Sequence, residues 1–174
     1  MHVSASFVLV HIMQKSILLS SLRDTQLLGG ALAESLGAGD TVLLSGPVGA
    51  GKTELARICI QTRLQEIGAI EDVPSPTFTL VQIYELIDTQ IWHADLYRLS
   101  TVDELYELGL DQAFEEDICL IEWPERLGAL RPENALELSI EIVDDDQRRV
   151  LLEWSDSKWD SMGAMLEYLN FPPG

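Results

Sequence analysis

The residues best suited to chemistry are Gly46-Pro47-Val48-Gly49-Ala50-Gly51-Lys52-Thr53. They match G-x-x-x-x-G-K-[ST], the pattern of a loop that cradles phosphate groups. Glycines let the chain curl so that successive backbone N–H groups point inward at phosphate oxygens. A helix opening after Gly51 adds its unpaired N–H groups and the positive end of its dipole. The Lys52 ammonium can reach the β- and γ-phosphates of a nucleotide, and the Thr53 hydroxyl can ligate Mg²⁺. Glu54 follows directly, so the candidate nucleotide-binding segment runs from Gly46 through Glu54. Its carboxylate either repels phosphates and lowers affinity or points away along the helix.

Such a site needs a carboxylate for the metal, supplied from the end of a neighbouring strand. Two runs qualify: Ile91-Trp92-His93-Ala94-Asp95 and Leu120-Ile121-Glu122. Asp95 can hold Mg²⁺ directly or through water, and Glu122 can orient or deprotonate an attacking water. Each is equally readable as an ordinary surface carboxylate at a strand end. Ser75, Thr77 and Thr79 are hydroxyls beside Pro74 and Pro76, arranged either as a γ-phosphate-sensing loop or as a plain turn. His93 reads as a satisfied or half-buried histidine, since three scattered histidines make no metal set. Trp123 is either core packing or an aromatic contact beside the site.

The elements that must position these residues are legible from periodicity. Thr41-Val42-Leu43-Leu44-Ser45 reads as a buried strand running straight into the glycine loop, and Leu55, Ile58, Cys59 and Thr62 mark one face of the helix after it. Strand, glycine loop and helix form half of a βαβ unit, which predicts an α/β fold: a largely parallel sheet between helical layers. Leu27, Leu28, Ala31, Leu32 and Leu36 predict a helix over 24–36, ended by Gly37. Strands are expected over 17–19, 78–86, 90–94 and 118–121. Ser100 with Asp103 reads as a capping box opening a helix through Leu105 and Leu108. Alternating Leu136, Leu138, Ile140 and Ile142, the turn Asp144 to Gln147 and Val150 to Trp154 predict a C-terminal hairpin. Met162, Met165, Leu166 and Leu169 predict a closing helix.

At 174 residues and 47% hydrophobic, the chain has the size and core of one domain. We place that domain at 15–174, preceded by an extension over 1–14. The apolar stretch near its start is read either as a first edge strand or as the product of an upstream start codon. No run is long enough to cross a membrane. Cys59 and Cys119 sit in apolar runs and read as buried free thiols, as expected in a reducing cytoplasm. The net charge is -18, which argues against gripping RNA or DNA unaided and suits a partner with a basic face. Residues 103–125 carry nine acidic side chains and no basic one, and residues 133–160 carry nine more acidic side chains.

The guanine-reading Asn-Lys-x-Asp sequence is absent, which favours ATP over GTP. A small-molecule kinase with the same type of loop is the rival class. Such enzymes neutralise the transferring phosphoryl group with basic residues in a lid, and beyond the loop and its helix only Arg98, Arg126, Arg131, Arg148, Arg149 and Lys158 are available.

Four segments in this order resemble one family. Gly46 to Thr53, Ser75-Pro76-Thr77-Phe78-Thr79-Leu80-Val81, His93-Ala94-Asp95-Leu96-Tyr97-Arg98-Leu99 and Cys119-Leu120-Ile121-Glu122-Trp123-Pro124 are similar to the bacterial TsaE (YjeE) proteins. The resemblance covers roughly 15–155. It implies a P-loop NTPase-like fold and an ATPase component of the machinery forming N6-threonylcarbamoyladenosine at position 37 of tRNAs that read codons starting with A. It implies partners TsaD and TsaB and hydrolysis that is weak in the isolated subunit. By resemblance, Lys52 and Thr53 bind phosphate and Mg²⁺, Asp95 is the second metal-site residue, Thr77 belongs to a switch-like loop, and Glu122 and Trp123 form a pair important for activity. Many relatives carry a second Thr where this chain has Glu54.

Overall fold

The computed structural model describes residues 11–174. Among the described residues there are seven strands: β1 (Met13–Leu19), β2 (Thr41–Ser45), β3 (Val81–Glu85), β4 (Gln90–Asp95), β5 (Ile118–Glu122), β6 (Leu136–Asp144) and β7 (Gln147–Trp154). They form a single sheet in the order β1-β7-β6-β2-β5-β4-β3. Its four middle strands, β6-β2-β5-β4, run parallel, and an antiparallel strand flanks them on each side. The α-helices among the described residues are α1 (Leu22–Ser35), α2 (Lys52–Glu66), α3 (Asp103–Glu107), α4 (Leu110–Glu116) and α5 (Asp160–Leu169). This is the expected α/β architecture with a hairpin, β6-β7, near the C-terminal end.

Alternation along the strands divides the core in two. Val42, Leu44, Ile91, Ile118 and Leu120 face one layer, where they meet Leu28 and Leu32 of α1 and Leu55, Cys59 and Ile60 of α2. Leu43, Ala94, Cys119 and Ile121 face the other, against Leu105 of α3 and Leu110 and Ala113 of α4. Strands buried on both faces read as unbroken apolar runs, which explains why β2 and β5 were legible. Both cysteines are free and buried, and burial pushes each thiol up to about 12.

Local chemistry moves some boundaries. Helix α1 starts at Leu22 because Ser21 caps it, its Oγ accepting from the Asp24 N–H at 3.2 Å. The strand expected from Phe78 begins only at Val81. Pro76 to Leu80 form a turn closed by Leu80 N–H donating to Pro76 O at 2.8 Å, with Leu80 at φ 65°. The expected Ser100–Asp103 capping box is replaced by Glu104, whose Oε1 accepts from the Ser100 and Thr101 N–H groups. Carboxylates near a helix start satisfy free N–H groups whichever residue supplies them. The N-terminal strand runs longer than expected: Met13 and Gln14 pair with Trp154 and Glu153. The first ten residues of the expected extension lie outside the described residues.

Candidate nucleotide-binding site

Strand β2 ends at Ser45 and α2 begins at Lys52, so the loop between them is set by two regular elements. Three of its glycines have positive φ: Gly46 at 137°, Gly49 at 79° and Gly51 at 107°. At Gly46 the reason is also steric, since a Cβ there would lie 2.3 Å from Ile140 O. Only glycine fits so close to the β6 backbone. Pro47, Val48 and Gly49 form the exposed crest, and Ala50 is buried beneath it. Arg148 of β7 braces the loop, its Nε donating to Ala50 O at 3.2 Å while Nη1 donates to the hairpin-turn carbonyls of Asp144 and Asp145.

The Lys52 side chain is buried and folds back over the loop. Its Nζ donates to Gly46 O at 2.7 Å and Pro47 O at 3.0 Å, and it sits 4.1 Å from the centre of the Trp123 ring. Burial lowers its pKa, while the carboxylates of Glu122, Asp95 and Glu125 act in the opposite direction. A buried ammonium facing carbonyls, an indole and carboxylates is a cation held ready for an anion.

Asp95 and Glu122 are direct cross-strand neighbours at the C-terminal ends of β4 and β5, and Glu122 also pairs in register with Leu44 of β2. Neighbours in register share a face, and this is the face covered by α2. Glu122 therefore points at the first turn of that helix, where its Oε2 accepts from Thr53 Oγ1 at 2.8 Å. Its other oxygen, Oε1, lies 2.9 Å from His93 Nε2. Asp95 is bonded elsewhere: Oδ2 accepts from Thr77 Oγ1 at 2.9 Å and Oδ1 from the Tyr97 N–H at 3.0 Å. Thr77 in turn lies 2.7 Å from Ser75 Oγ. The loop bearing Thr77 is thus tied to the strand end by Asp95, while Thr53 is tied to it by Glu122. Thr79 belongs to neither pair, its Oγ1 donating to Pro76 O.

Trp123 leaves the sheet in a left-handed conformation, φ 60° and ψ 53°. That turn lays its ring against the Lys52 ammonium and against Tyr97, the two aromatic ring centres lying 4.9 Å apart. Glu54 pairs with Arg57 one turn along α2, so its charge is partnered locally. It also lines a cavity of about 240 Å³ beside the loop, together with Leu19, Ser21, Thr25, Ile140 and Arg148.

Among the described residues, no group of three or more His, Cys, Asp and Glu side chains is arranged as a metal cluster. Mg²⁺ needs less: it commonly takes one or two protein oxygens and keeps its waters. The Thr53 hydroxyl with Glu122, and Asp95 beside Thr77, are hard oxygen donors of that type. These residues fit the ion.

Sequence reasoning gave His93 and Arg148 no place at the site: His93, expected to be satisfied or half-buried, is fully buried with Nδ1 unpartnered among the described residues, and Arg148 was counted only as an available cation. The i, i+2 spacing of His93 and Asp95 placed both on one strand face, a signal for the histidine. Arg148 gave none, because its contacts with the loop span 98 residues of chain.

A protein from Rickettsia felis, "tRNA threonylcarbamoyladenosine biosynthesis protein TsaE", is 34% identical over 157 residues, covering 90% of this chain and 88% of its own. The protein of the same name from Rickettsia bellii is 36% identical over 139 residues, 80% of this chain and 94% of its own. The crystal structure of Bacillus subtilis YdiB superposes with a TM-score of 0.71 at 22% identity, covering 92% of this chain and 99% of that one. The fold is therefore shared. The family model for threonylcarbamoyl adenosine biosynthesis protein TsaE matches residues 19–157, and the chain belongs to the TsaE family.

Proposed function

We propose that this chain is a cytoplasmic, Mg²⁺-dependent ATPase that works with TsaD and TsaB to form N6-threonylcarbamoyladenosine at position 37 of tRNAs that read codons starting with A. The names of its relatives support the pathway. The observation that carries the enzymatic reading is the Thr53–Glu122 contact, which joins the first turn of the phosphate-loop helix to a buried acid at the adjoining strand end.

Each residue has a task in this reading. Backbone N–H groups of Gly49 to Thr53 bind phosphate oxygens, with the positive end of α2 behind them. Pro47 and Val48 shape the crest of the loop. Lys52 exchanges its two carbonyl partners for β- and γ-phosphate oxygens. Thr53, Asp95 and Glu122 are the residues that would hold Mg²⁺, which when bound neutralises charge on the phosphate oxygens. Glu122 also orients the attacking water and accepts its proton as the water oxygen bonds to the γ-phosphorus and the bond to ADP breaks. Thr77, anchored by Asp95, brings its loop toward the γ-phosphate. Trp123 covers Lys52 and excludes water. The cavity walled by Leu19, Ile140 and Glu54 has room for the base.

The test is steady-state phosphate release from ATP with and without Mg²⁺, by the chain alone and with TsaD and TsaB. We expect slow Mg²⁺-dependent release alone and faster release with the partners. Absence of release under every condition would refute the ATPase reading, and phosphate appearing on a small hydroxylated acceptor would favour a kinase.

A further inference from the structure

His93 lies on β4 with no exposed surface and, among the described residues, its ring bonds one side chain, Glu122. The other ring nitrogen, Nδ1, is buried with no hydrogen-bond partner among the described residues. A histidine kept for core stability would gain by satisfying both nitrogens or by replacement with an apolar ring, because an unpaired buried polar atom costs on the order of 1–3 kcal/mol. The arrangement has a clearer rationale in what the bond does to Glu122. That carboxylate is 2% exposed and has two oxygens with separate partners, His93 Nε2 on Oε1 and Thr53 Oγ1 on Oε2. A carboxylate on a flexible side chain rotates unless one oxygen is fixed. The His93 ring, immobilised by its burial, fixes Oε1 and thereby aims Oε2 at Thr53.

We infer that His93 is a positioning residue for the proposed hydrolysis: its Nε2–H holds the Glu122 carboxylate in the orientation that presents Oε2 to Thr53 and the phosphate loop. The inference rests on the ATPase reading above for its consequence, though the bond itself does not. An ionised carboxylate only accepts, so Nε2 carries the hydrogen, and in the neutral ring Nδ1 is then the bare nitrogen. A bare nitrogen is the less costly of the two to leave unpartnered.

His93→Phe fills the ring's space and removes the donor, whereas His93→Gln restores an amide N–H near the Nε2 position. Losses on removing the partner of a metal-site or active-site group are typically about 10–100-fold. We expect His93→Phe to lower kcat by that factor with KM for ATP changed roughly threefold or less, since the phosphate loop is untouched. His93→Gln should recover most of the rate. In the ¹⁵N-histidine-labelled wild type, long-range ¹H–¹⁵N correlations should show His93 as the Nε2–H tautomer, with its signals assigned by their loss in His93→Gln. Full activity of folded His93→Phe, equal impairment of Phe and Gln variants, or an Nδ1–H tautomer would each overturn the inference. Wild type that releases no phosphate with any partner would refute the ATPase reading instead, and the tautomer measurement would still decide whether His93 holds Glu122.

Discussion

The ammonium of Lys52 is held by two carbonyls of its own loop and faced by an indole, so anion binding exchanges partners without first desolvating the cation. A charge-assisted hydrogen bond contributes about 1.5–3 kcal/mol. Lys52→Ala should therefore weaken Mg²⁺-ATP binding roughly ten- to a hundredfold and abolish hydrolysis while the domain stays folded. Calorimetric titration checks this, and equal affinities would remove Lys52 from the site. Asp95 poses a different question, because its carboxylate touches Thr77 rather than Thr53. If it helps hold the ion, Asp95→Asn should raise the Mg²⁺ concentration for half-maximal phosphate release by about tenfold or more, with the Thr77 bond largely preserved. An unchanged Mg²⁺ titration would leave the role to Glu122. The sequence presented these two acids as equivalent strand ends. Their difference appears only once register sets Glu122 beside Leu44 and under α2, and Asp95 one strand further out.

Among the elements, the loop from Gly46 to Gly51 is shaped as much by its neighbours as by its own residues. Gly46 is pressed against Ile140 O of β6, and Arg148 of β7 reaches back to Ala50 O. The C-terminal hairpin is therefore part of the site's frame. Two alanine substitutions separate the effects. Gly49 also has a positive φ of 79°, but nothing lies within 4 Å of its would-be Cβ, whereas that of Gly46 meets backbone at 2.3 Å. Gly49→Ala should incur only the conformational penalty, about 1–3 kcal/mol. Gly46→Ala adds a collision with backbone that cannot rotate away. Melting curves should fall by roughly 2–4 °C per kcal/mol for a domain of this size, and the Gly46 variant should melt clearly below the Gly49 variant. Equal midpoints would show that β6 yields readily and does not brace the loop. The glycine motif, β2 and α2 were all legible because their signal is local: an apolar run, a spacing, a helical face. The turn at Pro76 to Leu80 was not, since Phe78-Thr79-Leu80-Val81 has strand-like composition. Leu80 nevertheless takes φ 65°, closing the turn while its carbonyl accepts from the Asp95 N–H.

For the whole molecule the governing quantity is the net charge of -18, and the structure shows how much of it reaches solvent. Two acids of the 103–125 segment turn inward: Glu122 is buried, and Asp117 accepts from Trp92 Nε1 and the Gln90 N–H. The others in that segment, from α3 and α4 to Glu125, are exposed or partly exposed, as are all nine of 133–160. Within the two acidic segments, counter-charges among the described residues are few: Arg131 pairs with Glu137 and Arg149 with Glu141. Such a surface repels a phosphate backbone and steers a basic protein face toward it. The isolated chain should therefore bind tRNA weakly or not at all, while TsaD and TsaB raise its phosphate release. Surface attraction is screened over about 10 Å at 0.1 M salt. The partners' stimulation at sub-saturating concentration should then be markedly larger at about 50 mM than at about 300 mM salt. Chemistry within the phosphate loop lies in a partly dry site, so the rate at saturating partner should change little over the same range. Measuring phosphate release against partner concentration at both salts separates the two effects, because screening moves the half-saturating concentration and leaves the plateau. A tRNA titration of the chain alone completes the test. Tight tRNA binding would overturn the charge argument, and a half-saturating concentration indifferent to salt would mean that apolar contact rather than complementary charge brings the partners together.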